Sequence, residues 1–169
     1  MVKLERFDTN DFQRLINWVD TEELLVQFGG PIFTFPLTND QLYEYISDPQ
    51  RSIFKVIDLP THSVIGHAEL VPSDNKTVKI CRILIGDKSK RGKGLGQELI
   101  NELLEMSFLQ LGYEKAELNV YDWNIGAIKC YEKNGFMRNP DKVNRVEVNG
   151  NSWTALNMTV LRSAWLKLL

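Results

Sequence analysis

The chain has 169 residues, with 20 Lys and Arg against 22 Asp and Glu and a formal net charge of −2. That length predicts one domain, residues 1–169, large enough to bury a core. The near-balanced charge excludes the broad basic field of a nucleic-acid binder. Two cysteines, Cys81 and Cys130, and two histidines, His62 and His67, make neither a disulfide framework nor the spacing of a zinc site. Charges interrupt the opening Met1-Val2-Lys3-Leu4-Glu5-Arg6 where a leader peptide would be apolar, and no run approaches the ~18 apolar residues of a membrane span. The expectation is a cytoplasmic protein without a metal.

Residues 3–7 alternate as a first strand. Thr9 or Asn10 is expected to cap a helix through Val19, with Phe12, Leu15, Ile16 and Val19 on one face. Residues 21–28 read as a second helix, stopped by Gly29-Gly30-Pro31, and residues 31–36 as a loop holding Phe33 and Phe35. Thr38-Asn39-Asp40-Gln41 reads as a capping box opening a helix through Ser47. Strands are expected over 52–58, 63–71 and 77–85, with turns at Leu59-Pro60-Thr61 and Ser73-Asp74-Asn75. A long amphipathic helix is expected over 93–111, then a strand over 115–121 and a helix after Asn124. Two last strands are expected near 145–148 and 153–161, joined by the hairpin signal Asn149-Gly150. Together these predict an α/β (α+β) fold with a mixed central sheet of about seven strands and helices on both faces.

The most specific stretch is Arg91-Gly92-Lys93-Gly94-Leu95-Gly96, between the apolar run 80–85 and the long helix. Glycines at every second position let backbone approach a bulky group. A helix starting there aims unpaired N–H groups and its positive dipole end at the turn, with Arg91 and Lys93 beside them. This describes a pyrophosphate site. A P-loop is excluded because Lys93 is followed by Gly94 rather than Ser or Thr, and Gly86 lies one residue too far upstream. A dinucleotide fingerprint is excluded because the third glycine is misplaced.

A second stretch, Asn124-Ile125-Gly126-Ala127-Ile128-Lys129-Cys130-Tyr131-Glu132-Lys133-Asn134-Gly135-Phe136, follows one helix and one strand later. Asn124 suits an N-cap, Ala127, Ile128 and Tyr131 share a helix face, and Gly135 suits the left-handed position ending a helix, after which Phe136 starts the next strand. The first stretch, Arg-x-x-Gly-x-Gly, resembles the acyl-CoA-binding signature of the GNAT family of N-acetyltransferases. The second resembles that family's Asn-x-x-Ala-x-x-x-Tyr-Glu-Lys-x-Gly-Phe motif. The resemblance covers residues 63–137. Ile85-Gly86-Asp87-Lys88 and the stretch from Asn157-Met158 to Trp165 are similar to the branch holding ribosomal-protein-alanine and polyamine acetyltransferases.

The resemblance implies a single acetyl-CoA-dependent domain in which the strands ending near Ile85 and Tyr121 splay apart. It implies that acetyl-CoA, the cosubstrate, lies along main-chain groups of Ile83, Leu84 and Ile85, with its diphosphate on Arg91, Gly92, Lys93, Gly94, Leu95 and Gly96 and further contacts to Asn124 and Tyr131. Tyr131 would be the acid that protonates the departing CoA thiolate. For the base the residues offer Glu69 first, then His67, Asp87 or a water; His67 and Glu69 share one face of their strand. The acceptor would be an amine-bearing small molecule or a protein N-terminus. Antibiotic amines and free amino acids stay open, and so does a homodimer; neither nucleic acid nor membrane is expected as a partner. Aromatic residues and the acids Asp20, Glu22, Glu23, Asp40 and Glu44 fall in the segment that would roof the acceptor. The alternative is a non-catalytic acyl-CoA-binding regulatory module, which would need no phenol at position 131.

Overall fold

The computed structural model describes residues 1–169. Seven strands, β1 (Val2–Arg6), β2 (Ser52–Asp58), β3 (Ser63–Pro72), β4 (Thr77–Ile85), β5 (Lys115–Tyr121), β6 (Met137–Val148) and β7 (Asn151–Leu161), hydrogen-bond in the order β1-β2-β3-β4-β5-β7-β6. Six helices are interleaved: α1 (Phe12–Trp18), α2 (Glu22–Gly29), α3 (Asn39–Ser47), α4 (Leu95–Glu105), α5 (Ile125–Lys133) and α6 (Arg162–Trp165). The sheet is mixed, as the order of elements requires. β1 with β2, β2 with β3, and β7 with both β5 and β6 run antiparallel, whereas β4 and β5 run parallel. The chain divides into two compact units, Met1–Val71 with Cys81–Leu95, and Pro72–Ile80 with Gly96–Leu169.

In the first unit α1, α2 and α3 bury one apolar face each. Phe12, Leu15, Val19, Leu25, Phe28, Leu42 and Tyr45 join Phe33, Leu37, Ile53 and Leu84 in one cluster. Leu15, Leu25 and Leu42 are at most 1% exposed, and full burial of each such side chain is worth ~1.5–3 kcal/mol. The first cap is Asp8, where Thr9 or Asn10 was expected. Asp8 Oδ1 accepts from the Asn10 N–H at 2.8 Å while Asp11 Oδ2 accepts from the Asp8 N–H at 3.0 Å. That reciprocal box winds a 3₁₀ turn over Thr9–Asp11, and α1 begins only after it. At the expected box of α3, Thr38 Oγ1 does accept from the Gln41 N–H, at 3.4 Å. The Gln41 carboxamide instead braces the preceding loop, accepting from the Thr34 N–H at 2.8 Å and donating to the carbonyls of Thr34 and Pro36 at 3.0 Å.

In the second unit Leu99, Ile100, Leu103 and Leu104 of α4 are all 0% exposed. α4 starts at Leu95, not at Lys93, because Gly92 and Gly94 hold φ of +73° and +81°, outside the α region. After Glu105 it widens into a π turn over Met106–Gln110, where the Ser107 hydroxyl donates to the Leu103 carbonyl at 2.6 Å. β6 begins at Met137, one residue after the Phe136 expected to start a strand, and it runs through to the strand expected near 145–148. Its side chains are almost all exposed, so the polar run Arg138-Asn139-Pro140-Asp141-Lys142 conceals a strand with an irregular register between Asn139 and Val143. The hairpin at Asn149 and Gly150 is as expected, with both residues at positive φ, +48° and +76°, the geometry of a type I′ turn. The parallel ladder of β4 with β5 runs over three residue pairs, Thr77↔Lys115 to Lys79↔Glu117. It therefore occupies only the start of each strand.

Candidate active site

In the first unit β4 hands over directly to the glycine turn. The Gly86 and Asp87 N–H groups donate to the Ile65 carbonyl of β3 at 2.8 and 3.2 Å. The Trp18 indole lies where a Cβ on Gly86 would be, 2.0 Å away, so this position admits only glycine. Asp87 caps a 3₁₀ turn over Lys88–Lys90, accepting from the Ser89 N–H and hydroxyl at 2.9 and 2.7 Å. These bonds hold the Asp87 carboxyl below the ordinary carboxylate range, so it serves as a charged cap. Lys90 is spent on Asp58 at 2.5 Å, and Lys88 approaches Asp20 at 3.9 Å. Arg91 Nε donates to the Ile85 carbonyl at 2.8 Å. Arg91, Gly92, Lys93 and Gly94 are exposed.

The glycines of the turn do two different jobs. At Gly92 and Gly94 nothing lies within 4 Å of where a Cβ would sit, so the positive φ is what demands glycine. Gly96 lies inside α4 at an ordinary helical φ, where a Cβ would only reach van der Waals contact with the Cys130 sulfur at 4.0 Å. The main chain ahead of α4 is thus bare, and the helix N–H groups that follow have no helical acceptor.

Behind β4 lies a buried polar cluster. Glu69, 0% exposed, accepts from the Tyr45 hydroxyl at 2.6 Å and from Arg82 Nη1 at 2.5 Å on Oε2, and from Arg51 Nη1 at 2.7 Å on Oε1. The Arg51 and Arg82 guanidinium carbons each sit 5.6 Å from the Tyr45 ring centre. Burial, ahead of the Glu69 charge, pushes the Tyr45 phenol well above its ordinary value. Two residues before Glu69, His67 Nδ1 donates to the Arg82 carbonyl at 2.9 Å, and its Nε2 is buried without a partner. Burial takes the His67 pKa down to about 4, so the ring is neutral near pH 7. Arg82 itself sits at φ +50° inside β4, a left-handed conformation that costs a non-glycine residue about 1–2 kcal/mol.

The three residues named for the base are therefore placed very differently: Glu69 deep among cations, His67 buried and neutral, Asp87 capping a turn. Arg51 and Arg82 were missed by sequence reasoning, and Tyr45 was read only as one of the aromatic residues of the segment roofing the acceptor. A signal was available, since Glu69 is the only acid of β3 and the next strand, β4, carries only cations, Lys79 and Arg82, and buried charges are paired.

In the second unit Asn124 caps α5, its Oδ1 accepting from the Ala127 N–H at 3.3 Å. Two turns on, Tyr131 is 8% exposed, with its ring 6.0 Å from that of Phe136. Burial raises its phenol well above the ordinary value, so it holds its proton throughout the neutral range. Gly135 takes φ +86° and the Phe136 N–H returns to the Tyr131 carbonyl at 3.1 Å, closing the helix as the sequence indicates. Burial also raises the Cys130 thiol, which argues against a thiolate nucleophile. Just ahead of Asn124, Tyr121 and Trp123 stack at 5.8 Å with Trp153 set across both, an aromatic group the sequence did not announce.

Residues 15–136 match the Acetyltransferase (GNAT) family, and the chain belongs to that family of acyltransferases, which use acetyl-CoA as cosubstrate. Among curated relatives, the SPbeta prophage-derived uncharacterized N-acetyltransferase YokL of Bacillus subtilis is 29% identical over 106 residues; the match spans 62% of this chain and 60% of that protein's length. The Spermidine N(1)-acetyltransferase of Vibrio cholerae is 28% identical over 165 residues, spanning 96% of this chain and 92% of the relative. The Aminoglycoside N(6')-acetyltransferase type 1 of Klebsiella pneumoniae is 27% identical over 150 residues, spanning 81% and 74%. The crystal structure of spermidine N-acetyltransferase from Vibrio cholerae in complex with CoA and spermine superposes with a TM-score of 0.82 at 26% identity, covering 98% of each chain. No helix of this chain is long and apolar enough to cross a membrane.

Proposed function

We propose that residues 1–169 act as one acetyltransferase domain, moving an acetyl group from acetyl-CoA to a primary amine of a polycation by direct attack in a ternary complex. The observation that carries this is the turn 91–96. Two glycines there hold φ of +73° and +81° with open space beside them, two cations are exposed, and the turn opens the longest α-helix of the chain. Bare amides and a helix dipole suit a diphosphate. Arg91, Gly92, Lys93, Gly94, Leu95 and Gly96 would take that diphosphate, the main chain of Ile83, Leu84 and Ile85 the amide arm, and Asn124 and Tyr131 the rest of the cosubstrate.

A primary amine with a pKa near 10.4 gives up its proton at pH 7 at a cost of about 4.6 kcal/mol. The carrier is a base or a water; Glu69, the first choice from sequence, has no face open to solvent. The oxyanion formed on attack is held by a main-chain N–H of β4. The CoA thiolate leaves with a pKa near 8.5; the Tyr131 phenol, protonated in the neutral range, hands its proton to the sulfur, and the proton released by the amine restores the phenol through water.

The acceptor is a polyamine. Residues 19–50 hold Asp20, Glu22, Glu23, Asp40, Glu44 and Asp48 and no Lys or Arg, and all but Asp48 are exposed. Such a one-signed segment attracts a cationic amine. Spermidine is preferred because the relative bearing that name is matched over nearly its whole length, the aminoglycoside enzyme over less of its own. The test is acetyl-CoA turnover with spermidine, kanamycin and an alanine-terminated peptide, read by mass spectrometry. Monoacetylated spermidine formed fastest supports the assignment. Binding of acetyl-CoA without any acetylated amine would favour the regulatory module.

A further inference from the structure

Side chains from β3 and α3 converge on the one strained residue of β4. Arg82 is held at both ends: its carbonyl accepts from His67, and its guanidinium donates to Glu69 while lying over the Tyr45 ring. Arg51 engages the other Glu69 oxygen and fixes the carboxylate from the opposite side. Arg82 Nε is buried without a partner, so the Glu69 contact is the guanidinium's hydrogen-bonded anchor. Ile83, Leu84 and Ile85 follow directly. At Leu84 the β3 backbone closes in: a Cβ on Gly66 would stand 2.3 Å from the Leu84 carbonyl oxygen. A non-glycine residue keeps φ +50° only where its surroundings over-determine it, and here the clamp is visible side chain by side chain.

We propose that Glu69 is a positioning residue: through Arg82 it holds the left-handed residue of β4, and so the direction of the main-chain groups of Ile83, Leu84 and Ile85. This rests on the acetyltransferase reading, in which those groups receive the acyl-CoA arm. The geometry separates this role from that of a base. Both carboxylate oxygens are already engaged by three donors, and the side chain is 0% exposed.

The test uses five variants of the full chain, four single and one double, with acetyl-CoA and spermidine. Glu69→Gln and Arg82→Ala are each expected to lower kcat/KM about 100-fold, the scale of a misplaced reacting geometry. Arg82→Gly is expected to lose less than about tenfold, because glycine adopts φ +50° unaided. In that background Glu69→Gln is expected to add less than about threefold, since contacts acting through one another are not additive. Tyr45→Phe removes a donor from Glu69 and is expected to leave the acid limb of the kcat/KM pH profile in place.

If the acid limb moves in Tyr45→Phe or disappears in Glu69→Gln, Glu69 is the base and the positioning role is overturned. Equal losses in Arg82→Gly and Arg82→Ala, or losses that multiply in the double variant, overturn it as well. Should Glu69→Gln melt below assay temperature, the ratio of Arg82→Gly to Arg82→Ala and the Tyr45→Phe profile decide alone. Failure of the acetyltransferase reading would show instead in the unaltered chain, as no heat of binding with acetyl-CoA.

Discussion

Arg91 Nε donates to the carbonyl of Ile85 at 2.8 Å, so the cation that opens the glycine turn is tied to the last residue of β4. One side chain thereby couples the strand expected to receive the amide arm with the turn expected to receive the diphosphate. Arg91→Ala removes both the tether and a charge. It is expected to weaken acetyl-CoA binding about tenfold, on the scale of one charge-assisted hydrogen bond. Calorimetric titration checks this, and an unchanged Kd would remove Arg91 from the diphosphate site.

Tyr131→Phe keeps the ring against Phe136 and removes only the hydroxyl. It is expected to lower kcat by about 10²–10⁴-fold, the range of general acid catalysis, with acetyl-CoA affinity nearly unchanged. Pre-steady-state measurement of the chemical step is the check. If the phenol only packs, the step keeps its rate.

His67 makes a stability prediction. Its pKa is about 4 in the fold and 6.5 when unfolded, so the unfolded chain takes up the proton first on acidification. Its contribution is complete above pH 6.5 and is lost as pH falls toward about 4, a change of order 3 kcal/mol. Thermal melts between pH 7 and 4 should show this slope, and His67→Gln should flatten it. Asp58, Asp74 and Asp87, whose carboxyls are also held low, act below that window.

The exposed acids of the first unit make a specificity prediction. Asp40→Asn with Glu44→Gln is expected to raise KM for spermidine a few-fold, more at low salt than at high, because exposed charges are screened. Turnover of an alanine-terminated peptide should not change. Steady-state kinetics at two ionic strengths reads both.

Much of the fold is legible in the sequence. Asn124 and Gly135 announced both ends of α5, and Asn149-Gly150 announced the last hairpin, because these residues meet local backbone demands. Phe136 announced the start of β6, but its continuity through residues 138–144 was hidden because an edge strand exposed on both faces carries no alternation of polar and apolar side chains. The Glu69 cluster was only half legible. Sequence placed Glu69 and His67 on one strand face, but Tyr45, Arg51 and Arg82 reach them from residues 13 to 24 positions away in the chain. Contacts of that kind are set by tertiary packing and leave no local period. The left-handed Arg82 was invisible for the same reason, since nothing in an arginine announces positive φ.

The most direct measurement is calorimetric titration of acetyl-CoA into the unaltered chain and into Gly94→Val. Residue 94 sits at φ +81° with open space beside it, so valine strains the turn without striking the core. The expected result is one saturable site in the unaltered chain and no detectable binding in the variant, whose melting temperature stays within a few degrees. Equal affinity in both would contradict the turn as the seat of the diphosphate.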